Sequence, residues 1–117
     1  MYEPEKLKLR TKRLALSLIR LFRGLPRSDE ARLIGKQLIR SGTSVAANYR
    51  AAGRARSRAE FIAKIGTVVE EIDETVFWIE MLSEAEIMTP AATREVLTEA
   101  NELLAIFAAS QRTARRS

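Results

Sequence analysis

A chain of 117 residues, 46% hydrophobic and 30% charged, can bury one modest core and is too apolar for disorder. It contains no cysteine and no histidine, which excludes disulfides, thiolate chemistry, Ser-His and Cys-His nucleophile pairs and the Glu-x-x-His motif of di-iron bundles. The net charge is +5, the sign that favours polyanionic partners.

Only 5 Gly and 3 Pro interrupt a sequence rich in Ala, Leu, Glu and Arg, so helix is favoured throughout. The first predicted helix spans 7–25, with Leu14, Leu18, Leu21, Phe22 and Leu25 on one face, and Gly24 and Pro26 end it. Ser28 caps a second helix over 28–53, with Asp29 and Glu30 at the positive end of its dipole. Its inward face is Ala31, Ile34, Leu38, Ser41, Val45, Asn48, Tyr49 and Ala52. A parallel line of Gly35, Gly42, Ala46 and Gly53 predicts that another helix packs very close there. A loop around 41–44 is the alternative. Ser57 and Glu60 form a capping box for a third helix over 57–86, whose core stripe is Phe61, Ile65, Val68, Val69, Ile72, Val76 and Ile79. Thr89-Pro90 opens a fourth over 90–110, with Val96, Leu97, Ala100, Leu103, Leu104 and Phe107 inward, followed by a basic tail over 111–117. Short connections make consecutive helices antiparallel. The expected fold is all-α, a single-domain up-down-up-down four-helix bundle over 1–117. No apolar run reaches the roughly 18 residues that span a bilayer, and the start, MYEPEKLKLRTKR, does not read as a secretory signal. The cytoplasm is the expected compartment.

The stretch IGKQLIRSGTSVAANYRAAGRARSRAEFIAKIGTVVEEIDETVFWIEML carries Gln37-Leu38, Arg40-Ser41, Ser44-Val45, Ala47-Asn48-Tyr49, Arg54, Ser57, Glu60-Phe61, Lys64, Glu70-Glu71, Glu74 and Trp78-Ile79. In these features it resembles the bacterial four helix bundle protein family, also called the 23S ribosomal-RNA intervening-sequence proteins, over about residues 14 to 107. The resemblance implies a four-helix bundle, a ring-like homo-oligomer (usually a pentamer) and an unsettled function with nucleic-acid binding suggested. A related branch, the accessory proteins of diversity-generating retroelements, works with a reverse transcriptase. The chain departs from the family's pattern at Ala51-Ala52, where members often carry Glu then Ala.

Charge is divided along the chain. Residues 1–58 hold 15 Lys/Arg against 4 Asp/Glu, residues 59–109 hold 2 against 11, and three arginines follow. Antiparallel topology gathers Lys6, Lys8, Arg10, Lys12, Arg13, Arg50, Arg54, Arg56, Arg58, Arg112, Arg115 and Arg116 at one pole, opposed by Glu3, Glu5 and Glu60. Such density is the footprint of a phosphate-backbone binder, and Arg10, Lys12, Arg13, Arg50, Arg54, Arg56 and Arg58 are the candidate RNA or DNA contacts. The other reading is a solubility device, or arginines paired with acidic residues of the third helix within or between subunits. Only Tyr2 and Tyr49 offer rings near the pole, so binding is expected to be backbone-driven and poorly sequence-specific.

Glu70, Glu71, Asp73 and Glu74 could hold Mg²⁺ or Mn²⁺ only by converging, and their helical projection separates them. Phe77, Trp78 and Met81 fall off the core stripe and are candidate oligomer-interface residues; a wide core face is the alternative. Ser41 and Asn48, polar on a core stripe, are expected to be structural, with Ser41 bonded to a carbonyl of its own helix. No catalytic, cofactor or metal residues are predicted, and no small-molecule substrate. The reading is a non-enzymatic, homo-oligomeric binder of RNA or DNA; the alternative is a protein-interaction or accessory scaffold module.

Overall fold

A computed structural model describes residues 3–116. Within them the chain forms α1 (Pro4–Arg23), α2 (Asp29–Ala52), α3 (Arg58–Glu84) and α4 (Pro90–Arg116). Tyr2 and the last tail residue, 117, lie outside the described residues.

Side-chain caps set the starts. Ser28 Oγ accepts from the Ala31 N–H at 3.2 Å, Ser57 Oγ from Glu60 N–H at 3.1 Å, and Thr89 Oγ1 from Ala92 N–H at 3.2 Å. Each satisfies one of the orphan donors of a first turn. α1 begins at Pro4, three residues before the predicted start, because a proline at the first helical position loses no hydrogen bond. It ends at Arg23, so Leu25 packs on the core from the turn beyond it. α3 stops at Glu84, two residues early, and Glu86 enters the left-handed region at φ 60°. There the Ile87 and Met88 N–H groups both reach back to the Leu82 carbonyl at 3.0 Å.

One expectation changes and one alternative falls away. The segment 111–116 is not a tail: α4 runs on to Arg116. No Gly or Pro interrupts Ala108–Arg116, whose Ala, Gln and Arg are good helix formers, and Ser110 returns its hydroxyl to the Ile106 carbonyl at 3.0 Å. Nor is there a loop at 41–44. α2 passes through unbroken, with the Ser41 and Thr43 hydroxyls donating to the Leu38 and Ile39 carbonyls.

Neighbours in sequence are neighbours in space, and all are antiparallel. α1 meets α2 through Leu18 and Gly42, α2 meets α3 through Ser41 and Thr75, and α3 meets α4 through Arg58 and Ala114. Two positions of the glycine line, Gly35 and Gly42, carry the predicted close approach, whereas Gly53 ends α2 against its own backbone. A Cβ on Gly35 would lie 2.7 Å from both Leu25 Cδ1 and Phe22 Cδ1, and one on Gly42 would press into Leu18 Cδ1. The result is an all-α antiparallel four-helix bundle, 46 Å long and about 20 Å across. Leu14, Leu18, Leu38, Val45, Ile65, Ile72, Ile79, Leu103 and Phe107 are buried along its axis. Buried Thr11, Thr75 and Thr93 join them, each hydroxyl bonded to a carbonyl one turn earlier. α1 and α4 close the ring of helices with the weakest contact of the four adjacent pairs.

Candidate functional site

The start of α1, the end of α2, the start of α3 and the end of α4 meet at one end of the bundle. Arg58 Nη2 donates to the Ala114 carbonyl at 2.7 Å, and below it the Tyr49 and Phe107 rings pack at 5.0 Å between centroids. Exposed at this end are Lys6, Lys8, Arg50, Arg54, Arg56, Arg58, Arg112, Arg115 and Arg116. Arg54 and Arg56 sit in the α2–α3 turn, while Arg50 is in the last turn of α2. Among the described residues none of these nine makes an ion pair. Exposed Glu3, Glu5 and Glu60 are the acids beside them.

Three of the predicted contacts are placed differently. Arg10 is already engaged: Nε and Nη2 reach the Glu99 carboxylate at 3.0 and 2.7 Å, and Nη2 reaches Glu102 at 3.2 Å. The bond to Glu99 raises its pKa above the ordinary guanidinium value, so its charge is fixed but locally neutralised. Lys12 lies about 12 Å along α1 from its start, at 1.5 Å per residue. Arg13 lines a groove with Glu95, Glu99 and Glu102 rather than joining the pole.

The α1–α4 seam is incompletely filled. Near the pole it opens into a groove of about 760 Å³ lined by Leu7, Phe61, Ile106, Ala109 and Ala114, with Glu3, Lys6, Arg10, Ser110 and Thr113 as its polar lining. Farther down is the second groove, about 720 Å³, where Arg13 sits. The Arg10–Glu99 pair stands between them, touching both.

On the α2–α3 side the polar groups are consumed instead. Asn48 Nδ2 donates to the Ser44 carbonyl and hydroxyl, both at 2.9 Å, and Ser44 Oγ donates to Glu71 Oε2 at 2.9 Å. Arg40 binds Glu71 at 3.3 Å and also binds Glu74. Glu74 in turn accepts from Trp78 Nε1 at 3.2 Å. Arg40 holds the Glu74 carboxyl below the usual carboxylate range, with the Trp78 N–H assisting. Glu71 and Glu74 thus serve as partners for Arg40, while Glu70 and Asp73 face solvent. Neither Asn48 nor Ser41 stands apart: both are partnered within this seam.

Phe77 is 49% exposed and packs edge-on against Trp78, with ring centroids 4.8 Å apart. Trp78 and Met81 are partly buried against the chain's own core, so the off-stripe group is half core and half surface.

The bundle is that of a known family. The family described as 23S rRNA-intervening sequence protein matches residues 6–109, and this chain belongs to it. Among solved structures, a protein of unknown function from the S23 ribosomal protein family of Bacteroides thetaiotaomicron VPI-5482 is similar. The two share 30% identity with a TM-score of 0.83, over 90% of this chain and 97% of that one. None of the curated proteins compared with the chain matches it. Neither the family nor the solved neighbour points to an enzymatic activity. No helix among the described residues is long and apolar enough to cross a membrane.

Proposed function

We propose that the protein is a non-enzymatic, cytoplasmic homo-oligomer that binds the phosphate backbone of RNA or DNA through its basic pole. The observation that carries this reading is the set of nine exposed cations at one end that make no ion pair among the described residues. By contrast, Arg10 and Arg40 have their charge locally neutralised by acids. Unpaired cations massed on one face lower the cost of approach for a polyanion and release its condensed counterions on contact.

Assembly is supported by complementary surfaces. Exposed Leu9 and Leu16, seven residues apart on one face of α1, stand among Lys12, Arg13 and Arg20. Exposed Phe77 on α3 stands among Glu70, Asp73 and Glu80. A contact between such unlike faces of neighbouring copies is heterologous and closes into a ring when its rotation permits, a pentamer being the form the family resemblance implies. A ring presents many poles at once and multiplies weak single-site contacts.

The test is an electrophoretic shift series at several salt concentrations on wild type and Arg50→Ala/Arg54→Ala/Arg56→Ala. Arg58 is left in place because it ties down the end of α4. The variant should bind every sequence more weakly by a similar factor. Its plot of log affinity against log salt should flatten by up to about 0.9 per lost contact on duplex DNA. Wild type that binds no nucleic acid at low salt, or a variant that binds as well as wild type, removes the reading and leaves an acidic protein as the pole's partner.

A further inference from the structure

The pole's cations account for phosphate affinity but not for the groove that opens among them. Its floor is apolar, with Leu7 from α1, Phe61 from α3 and Ile106 from α4. Lys6 lies on its α1 wall, and Arg58 is fixed beside it by the carbonyl of Ala114, itself a lining residue. Glu3 is the acid at its edge. An apolar cleft edged by cations suits a ligand that is flat and apolar on its faces and anionic along its tether. A nucleobase on a phosphodiester strand has that form.

We propose that this groove takes an unstacked base of single-stranded RNA or DNA, packed on the Phe61 ring while the flanking phosphates meet Lys6 and Arg58. The proposal rests on the nucleic-acid reading above and deepens it by naming the strand form. Base–aromatic stacking is sequence-tolerant because every base has a π-face. Phe61, partly buried against the core, is the ring that lines the groove at this end among the described residues, since Tyr49 and Phe107 are buried against each other. A duplex keeps its bases paired and stacked and so meets only the cations. Arg10, tied to Glu99 and Glu102, closes the inner end of the groove. The site therefore takes a base or two, not a continuous run.

The experiment measures binding at low salt of a 20-nucleotide single strand, its duplex and an abasic strand of equal length, on wild type, Phe61→Leu and Ala109→Leu. Phe61→Leu keeps apolar bulk but removes the ring, and Ala109→Leu, at an exposed lining position, fills the groove without touching the core. Wild type should bind the ordinary strand about tenfold tighter than the abasic one, the scale of one stacked base. Both variants should erase that gap while duplex affinity stays within about twofold. A fluorescent base analogue in the strand should be quenched by wild type alone. Equal binding of ordinary and abasic strands by wild type, or a gap that survives in either variant with a normal melting curve, overturns the groove while duplex binding leaves the pole standing. If wild type binds none of the three, both readings fall.

Discussion

Between α2 and α3 the Ser41 and Thr75 hydroxyls meet at 3.0 Å in the core, and a continuous chain of bonds from Asn48 to Trp78 lines the edge. Between α1 and α4 two grooves lie on either side of one ion pair. Both seams join antiparallel helices of one bundle, yet one spends its polar groups on holding helices together and the other leaves space and charge open. The lesson is a division of labour. The α2–α3 seam fixes register, and the α1–α4 seam, weakly packed and next to the pole, leaves the open groove on which the proposed binding rests.

Core truncations should expose this asymmetry most. Leu38→Ala, fully buried in α2, should cost about 3 kcal/mol, within the usual range for such cavities. Leu7→Ala, beside the open groove, should cost nearer 2 kcal/mol, because its cavity opens onto space that already exists. Equal losses in urea titrations would mean that the two seams are equally packed. Next comes Gly42→Ala. Its new methyl would fall on Leu18 Cδ1, so the buried Leu18 side chain must rotate within the packed core. Overpacking of about 1–3 kcal/mol should outweigh the gain in helix propensity of about 0.5–1 kcal/mol, giving a lower melting temperature.

The smallest effect belongs to the exposed edge of the tight seam. Glu74 is held below the usual carboxylate range by Arg40, so its contribution is fully present above the unfolded carboxyl value. That contribution is lost as pH falls through the lowered folded value. Arg40→Ala should therefore cost less than about 1 kcal/mol at neutral pH, as expected of a solvent-screened pair. The gap between wild type and variant should close in acid. A gap that stays constant down to pH 2 would show that Arg40 acts by packing and not by charge.

Much of this division could be read in the sequence, but unevenly. Caps are local, so Ser28, Ser57 and Thr89 announced three helices, and the line through Gly35 and Gly42 announced a close neighbour. Thr75 was hidden because a threonine looks polar, although its hydroxyl is satisfied by its own helix. The Arg10–Glu99 pair joins residues 89 apart, and the bridge from Arg40 to Glu71 and Glu74 spans more than thirty. Both depend on how paired helices are rotated, which no local spacing encodes. Phe61 fits a core stripe by periodicity and is partly buried against the core, yet it also lines the groove of the α1–α4 seam, which periodicity alone does not show. Nine of the pole's twelve cations were legible from topology and charge order, whereas Arg10, Lys12 and Arg13 were placed elsewhere by how α1 faces α4.

Hydrogen exchange on the full chain at low salt, with and without a single-stranded oligonucleotide, tests the division of labour most directly. The account predicts that without ligand the middle of α2 and α3 exchanges slowest, only through global unfolding, while the first turns of α1 and the last turns of α4 open locally. The oligonucleotide should then slow exchange at residues 4–10, 50–61 and 106–116 and leave the α2–α3 middle unchanged. Protection centred on Phe77–Met81, or α1 and α4 ends as slow as α2 and α3 before any ligand is added, would contradict it.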